Sequence, residues 1–198
     1  MNLNDIFLSI KELFDSGGFV MPPLLLCTML LWYGLGYRYW TLRDKRRMGV
    51  RDMFLYYQKM PDAPANYIVD SAIKQGMALK KRGLKNLRRH MDSEFADYEK
   101  EMRKYAVLIK IIVMISPLLG LLGTVSGMIE TFDSLASMAL FTQSGGIAGG
   151  ISQALFTTQM GLAVAIPGVL VQSVLNRRQY NLETDLMQVK DLLCSQTE

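Results

Sequence analysis

Long runs without charge alternate with charged stretches along this chain. Residues 19–37, 111–129 and 135–176 are nearly free of Asp, Glu, Lys and Arg, and each run is at least 18 residues long. Roughly 20 apolar residues cross the hydrocarbon core of a bilayer. The third run opens on a polar Ser/Gly-rich turn, so it holds one span and not two. The pattern predicts an all-α membrane protein with three transmembrane helices, spans two and three extending into the cytoplasm.

Finer periodicities fill in the segments between. Leu3, Ile6, Phe7, Ile10, Leu13 and Phe14 share a helical face, which predicts an amphipathic helix in the outer interface over residues 1–17. The first span follows over 18–40 and a helical loop over 41–104. Leu84, Leu87, Met91, Phe95, Tyr98, Met102 and Tyr105 alternate spacings of three and four, close to a heptad seam. No helix breaker separates that seam from the second span at 105–135. One helix is therefore predicted from about residue 84 to 135, on the order of 75 Å long. An outer turn over 136–146, a third span over 147–176 and an amphipathic tail over 177–198 complete the chain. Leu182, Leu186, Val189 and Leu193 share a face in that tail.

Charge orients the spans. Of the 22 Lys and Arg residues, 17 lie in residues 38–104, beside 9 Asp and Glu. Basic residues mark the cytoplasmic side of a membrane protein, and Arg177 and Arg178 after the third span agree. The expected topology has the amino terminus outside and the carboxyl terminus inside. Most of the basic residues behind the chain's net charge of +4 lie in this mixed loop and not in a basic groove, so no nucleic-acid partner is expected. The amino terminus lacks the basic start of a cleavable signal peptide. Cys27 and Cys194 are read as two unpaired thiols.

The polar residues inside spans two and three are of one kind. In the third, Gly150, Ala154, Thr158, Gly161, Ala165, Gly168 and Gln172 lie three or four apart on one face, with Thr157 beside it. The second offers Gly120, Gly123, Thr124, Gly127 and Thr131. Small residues at this spacing let helix backbones approach closely in lipid. The hydroxyls of Thr124 and Thr158 have two readings. They satisfy their own backbone carbonyls, or they face a polar path to which Gln153 and Thr157 also contribute. No ionisable residue lies between Asp133 and Arg177. Proton relays in membranes generally need one, so a conducting path here requires another polypeptide's carboxylate.

Enzymatic chemistry has no support. The lone His90 sits in a charged helix. No metal-ligand spacing, nucleophile elbow or phosphate loop is present, and no cofactor or metal is expected. Pro117 and Pro167 lie inside spans, where they are expected to loosen the helix.

The paired motifs PLLGLLGTVSGMIETF and ISQALFTTQMGLAVAIPG resemble the MotA/TolQ/ExbB proton-channel family, most closely its three-span ExbB/TolQ branch. The resemblance is strong over residues 105–176. It implies a homopentamer in the inner membrane of Gram-negative bacteria. It also implies a pore around a single-span ExbD- or TolR-like partner whose intramembrane Asp carries the proton. The family's two pore-facing threonines match Thr124 and Thr158. Work would pass to a TonB-like protein, or to the Tol–Pal envelope system in a TolQ-like member. Where the family often has Glu, this chain has Gln153. A non-conducting membrane scaffold, in which the glycines only assemble helices, is the alternative of a different class.

Overall fold

The structure is a computed structural model, and it describes residues 14, 17–43, 48–61, 63–65, 67–81, 87–138 and 145–195. The expected interfacial helix over 1–17, the centre of the outer turn and Leu84 at the head of the heptad seam lie outside the described residues, apart from Phe14 and Gly17. Every regular element among the described residues is helical. A 3-10 turn, Gly18–Val20, leads into α1, Met21–Thr41. Then come α2 (Val50–Lys59), α3 (Ile68–Lys81) and α4 (Leu87–Arg103). The two longest are α5, Ala106–Met138, and α6, Gly145–Ser195.

Three helical stretches among the described residues are long and apolar enough to cross a membrane: Gly18–Thr41, Leu87–Asp133 and Ala148–Ser195. In each, only 28% to 33% of the most apolar window is buried within the chain. The remaining apolar surface must meet lipid or other polypeptides. At 51 residues, α6 is about 75 Å long at 1.5 Å per residue. A hydrocarbon core is ~30 Å thick, so much of α6 extends beyond it. Both Pro117 and Pro167 are accommodated inside continuous helices.

The predicted unbroken helix from 84 to 135 is corrected. After Arg103 the chain makes a two-residue turn, and Tyr105 takes a left-handed conformation with φ of 61°. That conformation costs an L-residue roughly 1–2 kcal/mol. Side chains rather than a glycine or proline hold it. The Tyr105 ring meets the Tyr37 ring edge-on at 5.1 Å, and the Lys104 ammonium lies 4.9 Å from the Tyr37 ring and 5.7 Å from the Tyr105 ring. The Tyr37 hydroxyl donates to Glu101, fixing the end of α4.

The chain divides into two compact units. One comprises residues 1–35 and 107–172; the other comprises 36–106 and 173–198. In the second, Met91 and Phe95 of α4 and Leu186, Val189 and Leu193 of α6 are all fully buried. Gly76 of α3 lies where a side chain would strike Leu193 and touch Met91 and Phe95. Ion pairs at 3.1 Å from Lys190 to Asp92 and from Arg103 to Glu183 rim this core. The first unit is built from α1, α5 and the first part of α6, and it holds the candidate site.

Candidate functional site

The site is a seam between α5 and α6, and glycine sets its geometry. A Cβ placed on Gly120 would come within 3.0 Å of the Thr157 carbonyl oxygen and 3.1 Å of the Thr158 Cα. One on Gly127 would come within 2.6 Å of the Gly150 carbonyl oxygen, and one on Gly161 within 2.7 Å of the Ser116 carbonyl oxygen. These neighbours are backbone atoms, which cannot swing aside. Contacts advance on α5 as they retreat on α6, so the helices run antiparallel. Ser116, Gly120, Gly123, Gly127 and Thr131 face Gly161, Thr157, Ala154 and Gly150 along the seam. At Gly168 a side chain would meet Val113 and Leu31, which brings α1 against the same pair.

The hydroxyls on this seam satisfy themselves. Ser116 Oγ donates to the Ile112 carbonyl and Thr131 Oγ1 to the Gly127 carbonyl, each at 2.8 Å. Thr157 is wholly buried beneath Gly123, its Oγ1 3.0 Å from the Ala154 carbonyl and 3.5 Å from that of Gly120. Thr157 is the more deeply buried of the two adjacent threonines, and both hydroxyls lie between Ala154 of their own helix and Gly120 of α5.

Thr124 and Thr158 are less buried than Thr157. Thr124 is part-exposed and its Oγ1 donates to the Leu121 carbonyl at 2.6 Å. Thr158 is part-buried, with Oγ1 3.2 Å from the Ala154 carbonyl and 3.4 Å from the Gly120 carbonyl. In an α-helix the Gly120 carbonyl accepts the Thr124 amide, so the two threonines are one helical rung apart. Each hydroxyl has one proton to donate and keeps lone pairs that can accept.

Gln153 is half-buried with its amide end against Gly18, whose φ of 58° and lack of a side chain make the approach feasible. Ala154 and Ala165 are each 5% exposed and hold the seam between its glycines. Among the described residues no three His, Cys, Asp or Glu side chains come together.

One charged residue is buried more deeply than its surroundings in the sequence suggest. Arg38 falls at the cytoplasmic end of the expected first span, and in the structure it lies in α1 and is only 1% exposed. Its Nη1 donates to Asn176 Oδ1 at 3.1 Å and its Nη2 to Gln179 Oε1 at 2.5 Å. Gln179 Nε2 donates in turn to Glu183 at 2.9 Å, and Glu183 accepts from Arg103. A buried guanidinium is thus held by two neutral amides, one of which bonds in turn to the Glu183 carboxylate. Arg38 is followed at once by aromatic and basic residues, so the sequence places it at a solvated interface. Its acceptors lie 138 and 141 positions away.

A family model described as the MotA/TolQ/ExbB proton channel family matches residues 61–188, well over half of the chain. The chain belongs to that family. It is similar to an ExbB-like biopolymer transport protein of Synechocystis sp., 33% identical over 182 residues, with 82% of this chain and 68% of the relative covered. Another, from Helicobacter pylori strain J99, is 27% identical over 199 residues and covers 96% of this chain and 99% of its own. A further Synechocystis ExbB-like protein is 40% identical over 74 residues, so the chain spans about a third (35%) of its length. The protein is therefore a multi-pass membrane protein of a proton-channel family whose members are not enzymes.

Proposed function

We propose that the chain is the channel subunit of an ExbB–ExbD-like motor in the bacterial inner membrane. It would couple the proton motive force, through a TonB-like protein, to transport across the outer membrane. Copies of the chain, five by the resemblance, surround the span of a single-span partner. The amino terminus is periplasmic and the carboxyl terminus cytoplasmic. Two observations support this reading: the Thr158 hydroxyl lies 3.4 Å from the Gly120 carbonyl, one turn before Thr124 on α5, and the sequence has no Asp, Glu, Lys, Arg or His between Lys110 and Glu130 or between Asp133 and Arg177.

A carboxyl group that alternates between charged and neutral forms needs neutral hydrogen-bonding neighbours that fix neither form. Thr124 and Thr158 fit that need. Each hydroxyl donates into its own helix and so presents lone pairs outward, where they can accept from a protonated carboxyl. When the carboxyl ionises, the same hydroxyls can rotate and donate to it. Thr157, buried between α5 and α6, stands behind this path as packing, and Gln153 lies towards the start of α1. The partner supplies the titrating group; this chain supplies the dry, hydroxyl-lined wall.

Alanine at Thr124 and at Thr158, co-expressed with the partner, tests the assignment. Proton-driven uptake should fall at least about tenfold in each variant, equivalent to roughly 1.4 kcal/mol of barrier. Full uptake in both, with normal assembly, sinks it.

A further inference from the structure

The second unit carries a cleft that the threonine path does not use. It holds about 440 Å³ between α2 and α3. Phe54 and Tyr57, 4% and 5% exposed, make an aromatic floor, extended by Met77. Lys74, Lys80 and Lys81 line the same cleft, and no carboxylate does so among the described residues. Asp70 is buried at 5% exposure and lies beside the Tyr57 hydroxyl. Lys74 is held 5.8 Å from the Tyr57 ring centre, and Lys80 donates to the Leu193 carbonyl at 3.4 Å. Lys81 is exposed. The positive charge continues along the chain: residues 80–89 hold six Lys and Arg and no Asp or Glu.

Shape decides what this charge is for. A bilayer engages a convex amphipathic helix face, with cations above and apolar groups below. Here cations and aromatic rings converge on a concavity, which suits one bulky side chain flanked by negative charge. We propose that the α2–α3 cleft binds a short acidic segment of a protein partner. One bulky apolar side chain rests on the Phe54–Tyr57–Met77 floor, and the segment's carboxylates face Lys74 and Lys81. This site does not rest on the threonine path.

The test uses the full chain in phosphatidylcholine nanodiscs and a fluorescein-labelled peptide with four glutamates around one phenylalanine. Anisotropy should show saturable binding that weakens with added salt. Ala78 lines the cleft and is itself exposed, so Ala78→Trp fills the cleft without disturbing the core. Binding should weaken at least about tenfold in Ala78→Trp and in the Lys74→Glu/Lys81→Glu double variant, with melting temperatures unchanged. A peptide with serine in place of phenylalanine should bind as weakly. Equal binding by wild type and Ala78→Trp overturns the proposal, as does no saturable binding by wild type. It is also overturned if the peptide fails while Lys74→Glu weakens association with phosphatidylglycerol vesicles, which would make the cleft a membrane contact.

Discussion

The α5–α6 seam and the α3–α4–α6 core are both helix packings, yet they are built from opposite residues. In the seam, Gly120, Gly127 and Gly161 bring backbone against backbone, and the polar groups are hydroxyls that bond their own helices. In the core, Met91, Phe95, Leu186 and Leu193 fill space with large side chains, and charged pairs rim them. The difference follows from the solvent. In water, burying apolar bulk drives helices together at about 25 cal/mol per Å². In lipid that drive is absent, so close van der Waals approach replaces it. A seam without bulk can also carry hydroxyls at its edge, where large side chains would have covered them.

The largest expected effect lies in the core. Phe95→Ala removes a fully buried ring and should lower the stability of the detergent-solubilised chain by about 3–5 kcal/mol, read as thermal unfolding. A loss below about 1 kcal/mol would mean that this core is not what holds the second unit. Next comes the seam. Gly161→Val drives a Cβ onto the Ser116 carbonyl, 2.7 Å away, and should cost about 1–3 kcal/mol. The same substitution at Gly36, where nothing lies within 4 Å, should be close to neutral. Equal tolerance at both sites would erase the contrast between the two packings.

Smaller effects sharpen the turn between α4 and α5. Tyr105→Gly relieves a left-handed strain of roughly 1–2 kcal/mol but loses ring contacts of about 0.5–1.5 kcal/mol, so melting should hardly change. Tyr105→Val keeps the strain, loses the contacts and should be clearly less stable. The smallest effect is a pH dependence. Burial, with Asp70 beside Tyr57 and Glu94 beside Tyr98, raises both phenols above their ordinary value, which is about 10. Their contribution to stability is complete below that value and is lost as pH rises through the raised folded values. Melting temperatures should therefore drop above about pH 10, and less steeply in Tyr57→Phe and Tyr98→Phe.

Much of this architecture was legible in the residues. Charge-free runs mark the spans, and the glycines of α5 and α6 mark the seam, because only small residues permit backbone contact in lipid. Three features were not legible, each for a physical reason. Thr157 and Thr158 are adjacent, about 100° apart on a 3.6-residue helix, so a wheel cannot decide which is buried more deeply in a seam that alternates three and four. The turn at Lys104–Tyr105 has no breaker; it depends on Tyr37, from α1. Arg38 reads as an interfacial cation because its amide acceptors lie on α6.

Proton flux tests the central claim most directly. Proteoliposomes containing the chain alone should hold an imposed pH gradient as empty vesicles do. Those containing the chain with a single-span partner bearing an intramembrane Asp should dissipate it, and Thr158→Ala should slow that flux at least about tenfold. Conduction by the chain alone, or undiminished flux in the threonine variant, would contradict a hydroxyl-lined wall that waits on another protein's carboxylate.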